Sequence, residues 1–79
     1  MKPALILQKR KNKKYIQFIE DVLKDCYIAQ KAEITFIYDR KTHTIECEII
    51  DVDKTNHMIV CERNDTIIFI PTRKILKIR

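Results

Sequence analysis

Hydrophobic positions change their period along the chain, from helical spacing to strict alternation. Between residues 15 and 27, apolar side chains recur every three or four positions, which predicts an amphipathic helix of about three turns. The acidic residues between them are expected to face solvent or a neighbouring subunit. The apolar positions are Tyr15, Ile16, Ile19, Val22, Leu23 and Cys26, and the polar ones are Glu20, Asp21, Lys24 and Asp25.

Beyond residue 32 the period is two, and polar turns divide the rest of the chain into five short strands. In the second strand the apolar side chains occupy odd-numbered positions up to Ile49 and even-numbered positions from Ile50 onward, which indicates a bulge or a sharp bend. Asn64 and Asp65 tolerate the left-handed conformation, so a tight turn is expected there without glycine. The predicted strands cover residues 34–39, 43–53, 57–62, 66–70 and 75–78.

A helix followed by five strands predicts an α+β, mainly β fold in which the helix precedes a strongly bent antiparallel sheet. So small a sheet can remove its edges by curling into a barrel. SH3-like and OB-type barrels both have five strands, but an OB barrel usually carries its helix between the third and fourth. We therefore expect an SH3-like small barrel over residues 15–79, preceded by a basic arm over residues 1–14. Whether the apolar segment 5–7 docks on the barrel stays open.

The charged residues are distributed unevenly. The chain of 79 residues has a formal charge of +5, yet residues 15–72 hold all eleven acidic residues and a net charge of −5. Six basic residues lie in residues 1–14 and four in residues 73–79, without an acid in either stretch. Basic ends around an acidic middle could present one face to a polyanion and another to a different partner. The alternative is that the basic ends only keep the protein soluble.

Enzymatic chemistry has little support in the sequence. Glycine is absent, which excludes phosphate-binding glycine loops and dinucleotide-binding turns, and neither histidine lies in a catalytic pattern. Cys26, Cys47 and Cys61 form no CxxC pair and are expected to be small buried side chains in a reducing compartment. We therefore predict a non-enzymatic protein without cofactor, metal or small-molecule substrate.

The location of the protein is predicted from two further features. No apolar run approaches the length of about 18 residues that a membrane span needs, so no membrane partner is expected. The short apolar stretch at the N-terminus precedes its basic cluster, an order opposite to that of a secretory signal. We expect a cytoplasmic protein.

The layout resembles the Sm-like fold and, within it, the Hfq group of bacterial RNA chaperones. Residues 34–39 and 44–53, which end in the pair Val52-Asp53, look like the first Sm motif. Residues 68–78 look like the second, and the helix occupies the position of the family's N-terminal helix. The sequence departs from the family in lacking the first motif's glycines, and the family's Lys-His pair falls on Thr72-Arg73.

The resemblance implies a ring of six or seven subunits in which the fourth strand of one copy pairs with the fifth of the next. It also implies binding of single-stranded U-rich or A-rich RNA, and a role as an RNA chaperone or post-transcriptional regulator. The implied pocket on the helix side consists of Lys54, His57, Thr72 and Arg73. The basic arm would add attraction to the RNA backbone through Lys9, Arg10, Lys11, Lys13 and Lys14.

Two other interpretations remain open from the residues themselves. Glu46 and Glu48 lie on one side of the second predicted strand, with Glu33 and Asp39 near the first. This acidic face could bind a basic protein partner, in which case the chain is an SH3-like protein–protein adaptor without RNA affinity. An OB-type single-strand binder is the third possibility. Tyr15, Phe18 and Phe36 are expected to pack in the core or under the helix, not to stack on bases.

Overall fold

One helix packs beside a six-stranded antiparallel sheet in a computed structural model that describes residues 4–79. Residues 1–3 of the predicted basic arm lie outside the described residues. A 3-10 turn, Thr72–Lys74, separates the last two strands. The elements in chain order are β1 (Leu5–Ile6), α1 (Lys13–Cys26), β2 (Gln30–Tyr38), β3 (Lys41–Asp53), β4 (Met58–Arg63), β5 (Thr66–Pro71) and β6 (Ile75–Ile78).

The predicted helix is confirmed, with a start two residues earlier than expected. The Asn12 side chain caps it by accepting a hydrogen bond from the Tyr15 backbone N–H at 2.8 Å. It ends at Cys26, because Tyr27 caps it and Ala29 takes a left-handed backbone with φ of 62°. Lys13 and Lys14, assigned from the sequence to the arm, form its first turn. In residues 4–79 no helix combines the length and apolar character that crossing a membrane requires.

The sheet has the order β1-β6-β2-β3-β4-β5, with β1 and β5 at its edges. The mainly β class with one helix is confirmed, but there are six strands where five were predicted. The sixth is β1, which pairs with β6, so segment 5–7 does dock on the sheet. The first predicted strand begins earlier, at Gln30, because Gln30 lies opposite Ile49 of β3. Among the described residues no strand pairing joins β5 to β1 or β6, and the sheet is open.

The predicted turns and bulge are confirmed. Asn64 and Asp65 have φ of 50° and 63°, and Asp39 and Arg40 have φ of 52° and 61°. Two successive residues with positive φ form the turn that matches the twist of a two-residue hairpin. The β3–β4 register shifts between Ile49 and Asp51, where the apolar parity changes. Both hairpins therefore form their tight turns without glycine.

The core lies between the helix and one face of the sheet. Its fully buried side chains come from every strand except β1, and Tyr15 and Phe36 pack partly buried against them, as expected. Phe18 is 59% exposed and Cys26 is exposed, so the prediction that both are buried is wrong. The buried stripe of α1 is narrower than the sequence suggested. It consists of Ile16, Ile19, Glu20 and Leu23.

Candidate functional site

A buried carboxylate joins three separate segments of the chain. Glu20 on α1 is completely buried, which contradicts the expectation that it faces solvent with the other acidic residues of the helix. The Thr72 hydroxyl donates to Glu20 Oε2 at 2.7 Å, and His57 Nδ1 lies 3.0 Å from Oε1 and 3.2 Å from Oε2. Burial of a carboxylate is costly unless donors replace its water. Here two donors do so, one from the β3–β4 turn and one from the 3-10 turn.

His57 is held in one orientation by these contacts. Its backbone has φ of 56°, a left-handed conformation that is uncommon outside glycine, and its carbonyl accepts the Thr72 backbone N–H at 2.9 Å. Because a carboxylate only accepts hydrogen bonds, Nδ1 carries the proton in the bond to Glu20. The side chain remains 35% exposed. Part of the imidazole is therefore accessible to a ligand.

Lys54 lies on the helix side of the sheet, like His57, and is held there by Asp21, the residue that follows Glu20. Its ammonium forms an ion pair and hydrogen bond with the Asp21 carboxylate, and both side chains are about half exposed. This hydrogen bond is the main reason that the pKa of Lys54 is raised above its ordinary value. The positive charge of Lys54 is thus largely compensated by the Asp21 carboxylate. Because Asp21 is on α1, the helix also determines where the Lys54 ammonium lies.

The turn that carries these residues is ordered by Asp53. Its carboxylate accepts from the Thr55 and Asn56 backbone N–H groups at 3.1 and 3.0 Å and from the Asn56 side-chain amide at 2.9 Å. These bonds, the Asn56 side chain first, hold the pKa of Asp53 below its ordinary value. The turn is therefore stabilised by a carboxylate at its first position, as in an Asx turn.

The basic arm meets the 3-10 turn at one point. Lys11 Nζ donates to the Arg73 carbonyl at 3.1 Å, and burial lowers the pKa of Lys11. The guanidinium-bearing Arg73 is exposed, as are Lys9 and Arg10. The structure therefore brings Lys54, His57, Thr72, Arg73 and Lys11 to the helix side of the sheet. Lys13 and Lys14 are exposed on the first turn of α1.

Glu20 is the one central residue that sequence reasoning missed. Its position carried a signal: it follows Ile16 by four residues and precedes Leu23 by three, and both are buried. Residues at these separations share one face of a helix. An acidic residue on the apolar stripe predicts a buried carboxylate with partners, but the partners lie 37 and 52 residues further along the chain.

A second polar region lies at the other end of β4. An open cleft of about 630 Å³ has Ala32 and Cys47 among its lining residues. Two pairs of glutamates on its walls stand directly opposite each other across strands, Glu33 with Glu46 and Glu48 with Glu62. Like charges in such positions destabilise a sheet. Lys31, Arg63 and Arg79 also line the cleft.

One of the three predicted buried thiols, Cys47, lines this cleft, and a second, Cys61, lies behind it in the core. Cys47 and Cys61 are buried, as expected. The pKa of the Cys61 thiol is raised by its hydrogen bond with Cys47 and by burial. Cys61 is completely buried and is therefore a side chain of the core.

Comparison with protein-family models, with curated proteins and with solved structures finds no match for this chain. Its functional interpretation therefore depends on the geometry of the two regions and on the sequence pattern described above.

Proposed function

We propose that the chain is an RNA-binding protein of the Sm and Hfq type, which assembles into a ring and binds single-stranded U-rich or A-rich RNA. In this proposal it acts as an RNA chaperone or post-transcriptional regulator and performs no covalent chemistry. In this proposal the chain forms an SH3-like small barrel, with β2 to β6 as the five strands of that barrel and β1 as an addition.

The observation that carries the proposal is the convergence on Glu20. The resemblance to the Hfq group implies that Lys54, His57, Thr72 and Arg73 form one pocket. The β3–β4 turn and the 3-10 turn, which supply all four, are both tied to α1 by Glu20 and Asp21. A partly exposed imidazole and an exposed guanidinium on these two adjoining turns can stack on a base and contact phosphate.

The surrounding charge supports a polyanion as the ligand. Lys9, Arg10, Lys13 and Lys14 are exposed near the point where Lys11 contacts the 3-10 turn. Such residues attract the RNA backbone without reading its sequence, and each phosphate contact adds a slope of about −0.7 to the dependence of log affinity on log salt.

Features of β5 support assembly through strand pairing. It lies at an edge of the sheet, contains no charged residue, and leaves Ile67 45% and Phe69 58% exposed. Proteins usually protect such an edge with charge, proline or a covering segment. Pro71 stands only at its end, so a strand from another copy is the cover we propose.

RNA binding by matched arginine variants tests the proposal. Arg73→Ala is expected to weaken the affinity for an oligo-U or oligo-A strand about tenfold, because a hydrogen bond to a charged group is lost. The equally exposed Arg63 lies in the cleft, so Arg63→Ala serves as the control and should leave affinity unchanged. Fluorescence anisotropy at several salt concentrations measures both affinity and salt slope.

The pattern of results separates the site from the function. Equal affinities for the two variants and wild type would place the RNA surface elsewhere. No binding of either oligonucleotide by the wild-type protein at low salt would reject the RNA function. His57→Gln, which retains a polar side chain without a ring, should also weaken binding if stacking contributes.

The cleft favours a second candidate, a protein–protein adaptor for a basic segment. Its like-charged pairs, Glu33 with Glu46 and Glu48 with Glu62, have no salt bridge with a cation in residues 4–79. A lysine-rich partner would relieve their repulsion. A labelled peptide of ten residues that alternates Lys and Ala is the probe. Binding that is abolished by Glu48→Lys and unaffected by Arg73→Ala would favour the adaptor.

A further inference from the structure

The outer edge of β6 is occupied by the chain's own first strand. Leu5 and Ile6 of β1 lie opposite Ile78 and Lys77, and the Leu7 backbone N–H donates to the Leu76 carbonyl at 2.8 Å. Leu7 is buried in the core, whereas Ile6 is 75% exposed. β1 is thus a short strand, anchored mainly by the residue that follows it.

This occupied edge is the one that the proposed ring requires. In a ring of the proposed kind, β5 of one copy pairs with the outer side of β6 in the next. β6 has four residues available for that pairing, and β1 covers only two of them as a strand. One edge can pair with only one strand at a time, so β1 and an incoming β5 compete for it.

We propose that β1 is a displaceable cover of the β6 edge, and that β5 of a second copy replaces it when the ring assembles. The inference rests on the ring in the proposed function and adds the regulation of its assembly. The apolar side chains of β1 move out of the interface, and Leu7 marks the point at which the displaced segment leaves the core.

Competition makes assembly depend on protein concentration. A segment joined to its site by a short flexible linker has an effective concentration in the millimolar range, and only residues 8–12 separate Leu7 from α1. The incoming β5 is six residues long and brings the exposed side chains of Ile67 and Phe69. It therefore gains more pairing and apolar burial than β1 provides, but must overcome the advantage of the tethered segment.

A disulfide that fastens β1 to β6 tests the competition. Leu7 and Leu76 are hydrogen-bonded, so alternation in an antiparallel pair makes Ile6 and Lys77 a close, non-hydrogen-bonded pair. The separation of about 4.5 Å between Cα atoms in such pairs suits a disulfide. This fastened variant carries Ile6→Cys and Lys77→Cys, with the exposed Cys26 changed to Ser, and is oxidised with oxidised glutathione.

The matched control fastens two strands that do not compete. Thr35 of β2 and Thr44 of β3 lie opposite each other with hydroxyl oxygens 3.0 Å apart. Thr35→Cys with Thr44→Cys, in the same Cys26→Ser background, forms a disulfide away from both sheet edges. Native mass spectrometry over a range of protein concentrations, with and without dithiothreitol, gives the assembly midpoint of each protein.

We expect the oxidised form of the fastened variant to stay monomeric at about ten times the concentration at which its reduced form assembles, and the control to assemble in both states. Leu5→Pro, which removes a backbone N–H from β1, should lower the midpoint at least about threefold. Assembly of the oxidised form at the same midpoint as the reduced form would overturn the cover while leaving the ring intact. Monomers throughout, Leu5→Pro included, would overturn both, and RNA binding would then be judged on its own titration.

Discussion

The helix side of the sheet and the cleft at the other end of β4 differ in how their charged residues are paired. On the helix side, a fully buried Glu20 is matched by His57 and Thr72, and Lys54 by Asp21. In the cleft, Glu33 and Glu48 each stand opposite a glutamate on one neighbouring strand and opposite a cation, Arg79 or Lys31, on the other, without an ion pair in residues 4–79. Burial is one reason for the difference, because a buried charge such as that of Glu20 costs several kcal/mol without partners, whereas the cleft glutamates are exposed or half-buried.

The two regions also differ in what each offers to a ligand. The helix side is organised in advance by bonds between distant segments, so a ligand would meet side chains already held in place. The cleft holds four glutamates and three cations without an ion pair among the described residues, so a cationic partner could still engage the glutamates.

Removal of the buried carboxylate should have the largest effect. Glu20→Ala leaves His57 and Thr72 without their shared acceptor and opens a cavity, and we expect the free energy of unfolding to fall by about 3 kcal/mol. Urea denaturation followed by circular dichroism measures the change. Asp21→Ala is the control, since it removes the neighbouring carboxylate from an exposed pair and should have a much smaller effect.

A loss of less than about 1 kcal/mol in the free energy of unfolding for Glu20→Ala would contradict this difference between the two regions. It would mean that Glu20 is not a buried link between the three segments in solution. Glu20→Gln refines the result, because an amide keeps an acceptor of the same shape without the charge. A smaller loss for Glu20→Gln than for Glu20→Ala is expected if shape and hydrogen bonding both contribute.

A charge reversal in the cleft should stabilise the protein. Glu46→Lys replaces the repulsion with Glu33 by an attraction across β2 and β3, and we expect a gain of about 0.5 to 1 kcal/mol in the free energy of unfolding. Thr42→Lys is the control on the same strand, because Thr42 is exposed and the residue opposite it is the uncharged Ile37. Equal urea midpoints for Glu46→Lys and wild type would show that the glutamate pair is already screened in the folded protein.

The smallest effect concerns the β3–β4 turn and its dependence on pH. The pKa of Asp53 is held below its ordinary value of 3.8 by the Asn56 amide and two backbone donors. A depressed folded-state pKa adds stability that is present above the unfolded value and is lost as pH falls through the folded value. Asp53→Asn should therefore be less stable than wild type at pH 6, and the difference should shrink below about pH 4.

Urea midpoints of wild type and Asp53→Asn at pH 6, 4 and 3 check this direction. A difference that stays constant over this range would contradict a role for the ionised carboxylate in the turn. A difference that grows toward pH 3 would mean that the pKa of Asp53 is raised, not lowered, in the folded protein.

Several elements could be predicted from the sequence because their causes are local. The period of α1, the alternation of β2 to β6 and the hairpin turn at Asn64-Asp65 each depend on residues close together in the chain. The bulge between Ile49 and Asp51 was visible as a change of parity within one strand. The grouping of His57, Thr72 and Arg73 came from pattern and resemblance, and its role in RNA binding stays a prediction.

Other features depend on contacts that no local pattern contains. The acidic Glu20 could be read as solvent-facing until its donors, which come from turns 37 and 52 residues away, are in place. β1 has only two residues and becomes a strand because β6, more than 70 residues later, offers it an edge. The exposure of Phe18 and Cys26 likewise reflects how α1 is rotated on the sheet.

One helix, alternating strands, their turns and a strongly uneven charge can thus be derived from the sequence alone, since these follow from the conformational preferences and burial of neighbouring residues. Which end of the sheet is organised by buried hydrogen bonds, and which edge is covered, is established only in the folded chain. Those outcomes depend on desolvation and strand pairing between segments far apart in the chain, and these become defined only when the segments pack together.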